Sequence, residues 1–268
     1  MARRNRLDAE LVRRGLARSR AQAGELVAAG RVSVAGRPAS KAASQVGTGE
    51  PIVVRDDSDD PGYASRGGHK LAGALEVFAH LGLQVEGRRA LDAGASTGGF
   101  TDVLLRSGVR EVEAVDVGYG QLAWSLRTDP RVRVHDRTNV RDLTVATLGS
   151  PVDLVVADLS FISLRLVLPA LAGVTVDDGD LVLMVKPQFE VGRDALGSGG
   201  VVRDPEQRID AVLGVAAAAW ELGLGTAGVT ASPLPGPSGN VEFFLWLRRG
   251  APAAERAAVE RAVAEGPA

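Results

Sequence analysis

The chain has 268 residues and a formal net charge of −2, and its 45% hydrophobic and 24% charged residues are typical of a folded, soluble protein. The absence of cysteine excludes disulfides, thiolate zinc sites, iron–sulfur clusters and a cysteine nucleophile, and three histidines argue against a histidine-built metal site. Among the 31 basic residues, three are lysines, at positions 41, 70 and 186. A retained lysine is a candidate for chemistry that needs a compact ammonium group. On composition alone, chance survival under a codon bias explains them more simply.

Charge is distributed unevenly along the chain. Residues 1–41 contain ten basic and three acidic residues, a net charge of +7, which leaves −9 for residues 42–268. A basic segment ahead of an acidic body indicates a module that binds a polyanion. We predict a first domain over 1–55, a linker over 56–64, a second domain over 65–250 and a C-terminal tail over 251–268.

The first domain is predicted to combine two short helices with short strands. Apolar residues at helical spacing precede Gly15, a common helix terminator. Ser19 can cap a second helix over 20–29, with Gln22 as its partner in a capping box. Alternating or apolar residues predict strands at 32–34 and 51–54. The linker begins with acidic residues, proline and glycine, which do not form a helix or strand.

Strands alternate with helices in the second domain. Strands are predicted over 89–93, 111–116, 132–135, 152–157, 181–185, 227–231 and 241–247, and helices over 69–81, 99–107, 121–127, 164–171 and 205–222. This order predicts an α/β fold with a doubly wound, mostly parallel sheet. The last two strands have no helix between them and predict an antiparallel hairpin at one sheet edge. The tail is expected to form a short surface helix or to fray.

A glycine-rich turn, residues 92–100, lies between a predicted strand and a predicted helix. Such a turn brings backbone N–H groups close to a ligand. A later strand ends at Asp116, where a doubly wound nucleotide-binding fold places an acid on the ribose hydroxyls. Ser96 replaces the second glycine of a dinucleotide loop, and Asp92 would repel phosphate but suit a cationic amino group. We therefore expect S-adenosylmethionine rather than NAD or ATP; the alternative is a tight turn without a ligand.

Four charged side chains are expected at the ligand-binding edge of the sheet, outside the carboxyl ends of the strands. Asp158 and Lys186 directly follow predicted strands, Glu242 lies at the start of the last strand, and Lys70 begins the helix before the glycine turn. Each also has a structural alternative. These are a helix cap for Asp158, a solvated loop charge for Lys186, an exposed helix position for Lys70 and a surface strand position for Glu242.

These positions, with residues 65–71 and 185–187, resemble the FtsJ/RrmJ-like 2′-O-ribose methyltransferases. The resemblance implies a Rossmann-like methyltransferase sheet, S-adenosylmethionine as cofactor, no metal, and a catalytic tetrad of Lys70, Asp158, Lys186 and Glu242. The cofactor-binding residues expected on this basis are Asp92, Gly94, Ser96, Thr97, Gly98, Gly99, Asp116, Asn139 and Asp158.

The small α+β N-terminal domain resembles the α-L RNA-binding motif, for example in Arg6-Leu7-Asp8, Ser19-Arg20 and Gly30-Arg31-Val32, but Ala35 replaces the usual asparagine. With residues 186–190 and 232–240, the chain resembles the TlyA family, whose members are described as haemolysins and as rRNA cytidine 2′-O-methyltransferases. The resemblance implies ribosomal RNA or ribosomal subunits as partners. The RNA-binding residues then expected are Arg3, Arg4, Arg6, Arg14, Arg18, Arg20 and Arg66.

The expected mechanism aligns a ribose hydroxyl with an activated methyl group. Lys186 would act as base if neutral or stabilise developing alkoxide if charged, Asp158 would orient it, and Lys70 and Glu242 would hold the target ribose. The alternatives are a ribosome-assembly factor without activity, a membrane-active haemolysin and an NAD-dependent enzyme. No apolar stretch of the ~20 residues needed to span a bilayer is present, so a cytoplasmic location is expected.

Overall fold

The computed structural model of the chain describes residues 4–55, 61–192, 196, 199–236 and 238–267. The chain divides into two compact units, Met1–Gly62 and Tyr63–Ala268. Residues 56–60 of the expected linker and the expected RNA-binding residue Arg3 lie outside the described residues. The domain boundaries at 55, 64 and 250 stay predictions.

The smaller unit packs two helices with short antiparallel strands. The helices are α1 (Leu7–Arg13) and α2 (Arg20–Ala28). The strands are β1 (Arg4–Arg6), β2 (Val32–Val34), β3 (Arg37–Pro38), β4 (Gln45–Gly47) and β5 (Ile52–Val54). β1 pairs with β4, and β2 lies between β3 and β5.

The cap of α2 uses the predicted residues in a shifted arrangement. The Ser19 hydroxyl accepts a hydrogen bond from the Gln22 N–H at 3.1 Å. The Gln22 side chain accepts from the Arg18 N–H at 2.7 Å, one residue before the N–H that a capping box uses. The start of α2 is thus fixed by two hydrogen bonds.

The larger unit is built on a seven-stranded sheet. Its strands are β6 (Arg89–Ala93), β7 (Glu111–Val115), β8 (Val132–His135), β9 (Val152–Ala157), β10 (Thr175–Val185), β11 (Leu224–Ala231) and β12 (Phe243–Arg249). The order across the sheet is β11-β12-β10-β9-β6-β7-β8. All neighbouring pairs are parallel except those of β12, which is antiparallel to both β10 and β11. The doubly wound, mostly parallel sheet with an antiparallel hairpin at one edge is confirmed.

Helices cover both faces of this sheet. They are α3 (Gly67–His80), α4 (Gly99–Arg106), α5 (Trp124–Arg127), α6 (Val145–Leu148), α7 (Leu168–Gly173), α8 (Pro187–Glu190), α9 (Pro205–Trp220) and α10 (Arg256–Ala264). In β9, Val155 belongs to the core under α7 and α9, while Val156 belongs to the core under α3 and α4. Burial on both faces explains why this strand reads as one apolar run.

Several elements differ in their bounds from the sequence prediction, and two of the differences have a local physical cause. β10 begins at Thr175, not at residue 181, because the acidic turn-forming residues 177–179 form an irregularity within the strand. The helix predicted over 164–171 is divided into a 3₁₀ turn, Leu164–Leu166, and α7. Pro169 lies in the first turn of α7, where its missing N–H costs no helical hydrogen bond.

The C-terminal segment contributes to the core of the larger unit. α10 buries Val259, Ala262 and Val263 in the same cluster as α9. The segment is therefore a packed helix and not a frayed tail. Across the described part of the chain, no helix has both the length and the apolar character that crossing a membrane requires.

Candidate active site

The glycine turn fits tightly against the loop that follows β9 and against α5. It connects β6 to α4, and Gly94 has φ +89° with its missing side chain facing the Asp158 carbonyl. A Cβ atom on Gly94 would lie 2.6 Å from that oxygen, closer than real contacts allow. Gly98 has φ +99°, and its Cβ would lie 2.3 Å from the Leu126 side chain. Both glycines are required by the backbone and by the space available.

The turn is fastened to the acid at the tip of β7. Asp116 Oδ2 accepts a hydrogen bond from the Ser96 N–H at 2.8 Å, and its Oδ1 accepts from the Gly118 N–H at 2.6 Å. The Thr97 carbonyl accepts from the Ala123 N–H at 3.2 Å. The expected ribose-binding acid and the expected cofactor loop therefore lie at one place.

Asn139 lies near this group through the backbone. The Thr138 N–H donates to the Asp116 carbonyl at 2.9 Å, which places the next residue beside the end of β7. The Asn139 side chain accepts from the Arg141 N–H at 3.1 Å and so caps a 3₁₀ turn. Its expected cofactor contact stays a prediction.

Asp92 is a buried carboxyl group at the end of β6. Its Oδ2 accepts a hydrogen bond from the Thr101 hydroxyl at 2.6 Å. Its Oδ1 has no hydrogen-bond partner among the described residues. Burial raises the pKa of Asp92 to about 7. The hydrogen bond from the Thr101 hydroxyl lowers this pKa, and the nearby Asp158 and Asp116 carboxylates raise it further. A buried acid with one unsatisfied oxygen suits a ligand that brings a cationic amino group.

This shifted pKa makes a stability prediction. Between about pH 4 and pH 7 the folded chain holds a proton on Asp92 that the unfolded chain has released, so stability falls as pH rises through this window. We expect Asp92→Asn to remove this loss, on the order of 4 kcal/mol across the window. Urea unfolding of both proteins at several pH values measures it. Asp178→Asn, at an exposed position, is the matched control; a wild-type-minus-variant difference that does not change with pH contradicts the prediction.

Gly94→Ala tests the fit of the turn. The added methyl group would clash with the Asp158 carbonyl, and alanine disfavours the positive φ of this position, so the backbone of the turn must move. We expect S-adenosylmethionine affinity to fall by about tenfold or more, with a loss of stability of about 1–3 kcal/mol. Gly87→Ala is the control, because Gly87 has φ +74° and no atom within 4 Å of the new methyl group. Equal effects of the two variants on calorimetric affinity would contradict the prediction.

The first pair of the expected tetrad is a buried ion pair. Lys70 Nζ lies 2.5 Å from Glu242 Oε2, and the two residues are 7% and 1% exposed. Lys70 comes from the first turn of α3, and Glu242 directly precedes β12. A Cβ on Gly236 would lie 2.6 Å from Glu242 Oε1, so the preceding loop covers this carboxylate closely. The surface positions considered for both residues are wrong.

The second pair joins the ends of two neighbouring strands. Lys186 Nζ lies 2.5 Å from Asp158 Oδ1 in an ion pair that lacks the angle of a hydrogen bond. The same ammonium donates a hydrogen bond to the Ser160 hydroxyl at 3.0 Å. Lys186 is largely buried, so the solvated loop charge is wrong for it. Asp158 precedes no helix that it caps; instead its N–H donates to the Ala93 carbonyl of β6.

Strand register explains why the two pairs meet. Val185 of β10 lies opposite Phe243 of β12, so Lys186 and Glu242, one residue further out on each strand, lie across from one another. A Cβ on Gly67, at the start of α3, would lie 3.8 Å from Asp158 Oδ2. The start of α3 thus brings Lys70 to the same edge as Asp158, beside the glycine turn.

Sequence reasoning missed three residues at this edge. Ser160 accepts a hydrogen bond from Lys186, and Glu190 is buried at the end of α8. Phe161 is 92% exposed and has a φ of +64°. The Phe161 and Phe189 rings are 5.3 Å apart. The Lys-Pro-Gln-Phe-Glu run at 186–190 signals Glu190 and Phe189, but nothing in the sequence indicates the positive φ of Phe161.

Several expected RNA-binding arginines of the smaller unit are also held by carboxylates. Arg6 donates two hydrogen bonds to Asp8, at 3.1 and 2.8 Å, and Arg20 donates to the same carboxylate at 3.0 Å. The Arg6 guanidinium, and then Arg20, hold the pKa of Asp8 well below its usual range. Arg6 and Arg20 remain about half exposed and can still face a polyanion.

Arg14 has a mainly structural position. Its guanidinium donates to Glu10 at 2.8 Å and to the carbonyls of Glu50 and Thr48 at 2.7 and 2.9 Å. Arg14 therefore connects α1 to the turn after β4. The other expected residues lie at the surface: Arg4 and Arg18 in the smaller unit, and Arg66 at the start of α3.

No group of three or more metal-ligating side chains occurs within the described ranges. The charged groups at this edge form two ion pairs instead. The arrangement supplies a buried acid beside a glycine turn and two lysines held by carboxylates, all at the carboxyl ends of parallel strands. Such a site can hold a cationic cofactor and accept a proton from a second ligand.

Comparison with known proteins identifies relatives over the full length. Residues 63–249 match the FtsJ-like methyltransferases, and residues 5–52 match the S4 domain. The 16S/23S rRNA (cytidine-2′-O)-methyltransferase TlyA of Mycobacterium tuberculosis is 61% identical over 272 residues, 100% of both chains. Hemolysin A of Brachyspira hyodysenteriae is 34% identical, covering 89% of this chain and 98% of that one. A solved structure of a candidate hemolysin from Streptococcus thermophilus is 38% identical, with a TM-score of 0.78 and coverage of 99% and 96%.

Proposed function

The chain belongs to the TlyA family, and on this premise we propose that it methylates ribose 2′-hydroxyls of ribosomal RNA. It consists of an S4 domain followed by an FtsJ-like methyltransferase domain. The proposed substrates are cytidines in the small- and large-subunit rRNA, and the proposed methyl donor is S-adenosylmethionine. The observation that carries the proposal is the meeting of Lys70, Asp158, Lys186 and Glu242 as two ion pairs beside the glycine turn.

The residues of the turn fit the proposed donor. Asp92 would receive its cationic amino group, Asp116 its ribose hydroxyls, and the backbone from Gly94 to Gly98 would approach it closely. The donor, when bound, supplies a methyl group activated by a sulfonium. Ser96 occupies the place where a pyrophosphate would need a glycine, which favours this donor over NAD.

Lys186 is the proposed proton acceptor. An ammonium cannot accept a proton, so Lys186 acts as the base in its uncharged form, after its ammonium has released a proton to solvent. The uncharged Nζ takes the proton of the 2′-hydroxyl as the oxygen forms its bond to the methyl carbon and the carbon–sulfur bond breaks, which leaves a neutral thioether. The ammonium formed in this way is held by Asp158 and Ser160. Alignment of oxygen and carbon supplies much of the acceleration, up to ~7–11 kcal/mol in well-oriented reactions.

Lys70 and Glu242 are the proposed ribose-holding pair. Both are almost fully buried and paired with one another, so their positions are fixed before RNA binds. Fixed donors and acceptors need no reorganisation during the reaction. This is the reason to assign them to substrate orientation and not to proton transfer.

The basic smaller unit is the proposed docking element for structured RNA. Arginines bind phosphates with little sequence information, and their contribution falls with salt. We expect Arg4→Ala/Arg18→Ala to weaken rRNA binding similarly for different RNA sequences and to reduce the log–log salt slope by about one per arginine. Filter binding across a salt series measures this. Arg261→Ala, at an exposed position of α10, should leave the slope unchanged; an unchanged slope in the double variant contradicts the docking role.

The deciding experiment measures methyl transfer directly. Purified protein is incubated with methyl-labelled S-adenosylmethionine and ribosomal subunits from cells lacking the gene, and 2′-O-methylation is mapped by nucleotide. We expect labelled 2′-O-methylcytidine in rRNA. Rejection follows from binding of rRNA without methyl incorporation, which supports an assembly factor, or from lysis of lipid vesicles without it, which supports a haemolysin.

A further inference from the structure

Two segments carry the residues around Lys186, and the buried side chain of Glu190 joins them in addition to Lys186 itself. The first, here called the strand-end loop, is residues 158–165, which follow β9 and include Asp158 and Ser160. The second, here called the lysine loop, is residues 186–190, which follow β10 and consist of Lys186 and the short helix α8. The Glu190 side chain is buried, although it takes no part in the proposed proton transfer.

The Glu190 carboxylate is satisfied entirely by the strand-end loop among the contacts described. Its Oε2 accepts a hydrogen bond from the Ser163 hydroxyl at 2.6 Å, and its Oε1 accepts from the Leu164 N–H at 2.7 Å. Arg165 reaches the same carboxylate at 3.3 Å and also donates to the Glu190 carbonyl at 2.8 Å. Four contacts thus run between the two loops at a single residue.

The strand-end loop needs such support because its backbone is strained. Phe161 has φ +64°, a conformation that is uncommon for an aromatic residue and that persists only where neighbouring contacts impose it. Phe161 directly follows Ser160, which binds Lys186 Nζ. Its own side chain is 92% exposed, and the ring contact described for it is with Phe189, at 5.3 Å between centroids, so packing of the ring adds little to hold the backbone. The hydrogen bonds of Glu190 begin two residues later, at Ser163, and fix the loop on that side.

We propose that Glu190 is a positioning residue that locks the strand-end loop to the lysine loop and so keeps Ser160 and Asp158 on the Lys186 ammonium. The inference rests on the proposed function, because the reaction gives that geometry its purpose. Glu190 touches neither the expected donor site nor the reacting hydroxyl; it acts through the loops. Displacement of a reacting group by about 1 Å can cost 100-fold in rate.

The test compares Glu190→Ala with Glu190→Gln. Alanine removes every side-chain contact, whereas glutamine keeps an oxygen that can accept from the Leu164 N–H. We expect Glu190→Ala to lower kcat about 10- to 100-fold, with S-adenosylmethionine Kd and the KM for RNA within about twofold. Glutamine should restore part of kcat. Glu206→Ala, which removes a 66% exposed glutamate paired with Arg256, is the matched control and should change nothing.

A measurement that does not depend on activity reports directly on the hydrogen bond between the Leu164 N–H and Glu190. Hydrogen exchange of the Leu164 amide should become faster in Glu190→Ala, because its acceptor is gone. Ser163→Ala should lower kcat in the same direction, and the double variant Ser163→Ala/Glu190→Ala should be no slower than Glu190→Ala alone. The single variant Ser163→Ala, which removes one partner of the Glu190 carboxylate, remains informative where Glu190→Ala folds poorly.

The outcomes separate the two proposals. Wild-type protein that methylates no rRNA rejects the proposed function. Active wild-type protein with unchanged kcat in Glu190→Ala and Ser163→Ala rejects the positioning role alone. A fall of kcat in step with melting temperature and cofactor affinity also rejects it, since that pattern describes general damage to the fold.

Discussion

Replacing Lys186 by methionine is expected to lower single-turnover methyl transfer to rRNA by about 100- to 10,000-fold, the range of a lost acid–base group. Methionine keeps the unbranched shape of the side chain, one atom shorter, but can neither accept a proton nor pair with Asp158. S-adenosylmethionine affinity, measured by calorimetry, should change little, because the glycine turn and Asp92 are untouched. Near-wild-type turnover would reject the role of Lys186.

Two further variants sharpen this result. Arg261→Met is the matched control, since Arg261 is an exposed cation of α10, outside both the candidate site and the basic smaller unit. Lys186→Arg tests the kind of help that Lys186 gives. Arginine retains a positive charge but does not release its proton near neutral pH. It should therefore be nearly as inactive as methionine if Lys186 accepts the proton, whereas substantial activity would mean that charge alone suffices.

Breaking the buried Lys70–Glu242 ion pair should destabilise the protein far more than breaking an exposed ion pair. Lys70→Met leaves the Glu242 carboxylate buried without its cation, and we expect the free energy of unfolding to fall by about 3–5 kcal/mol. Denaturant unfolding measures the change. In Lys70→Met/Glu242→Leu both buried charges of this pair are removed, so much of the lost stability should return. Methyl transfer should stay low, because the ribose loses both of its proposed partners.

The control for this cycle is an exposed ion pair. Arg256 and Glu206 are about half exposed or more, and removing either should change stability by about 1 kcal/mol or less. A double variant at Lys70 and Glu242 that loses the sum of the two single effects would contradict the explanation. A double variant that regains both stability and full activity would make the pair structural.

The parallel sheet could be predicted because burial on both faces leaves a local signal. The run from Val152 to Ala157 contains almost nothing but apolar residues, and its predicted limits equal those of β9. β10 is different, because residues 177–179 are acidic and turn-forming yet lie within the strand. Thr175 and Asp180, on either side of them, pair with β9 and keep the strand continuous. Such pairing is a property of the sheet, not of a short segment.

The site was predicted in part because its residues follow strands. Asp158 and Lys186 could be placed at the carboxyl edge from strand limits alone. Glu242 owes its position to the antiparallel register of Val185 and Phe243, which no local pattern reveals. Glu190 has the same property: its partners at 163–165 are distant in sequence, and only the folded loops bring them to it.

Arg14 shows what a charge pattern leaves out, and its expected contact with RNA stays a prediction. Its place in a basic segment predicted phosphate contact, yet its donors are engaged by Glu10 and by backbone carbonyls around residue 50. Charge patterns count cations without saying which of them are occupied within the fold. Arg4 and Arg18 also donate to backbone carbonyls, those of Gln45 and Gly62, but their side chains are exposed, and they therefore carry the RNA prediction more strongly than Arg14.

The antiparallel insertion of β12 between β10 and β11 has a consequence for the order of synthesis. Asp92, Asp158 and Lys186 are all made before Glu242, and β10 has only one side paired until β12 arrives. A chain growing from the amino end thus exposes its smaller unit and its glycine turn while Lys70 still lacks its carboxylate partner. The site is therefore expected to be completed last, when β12 enters the sheet.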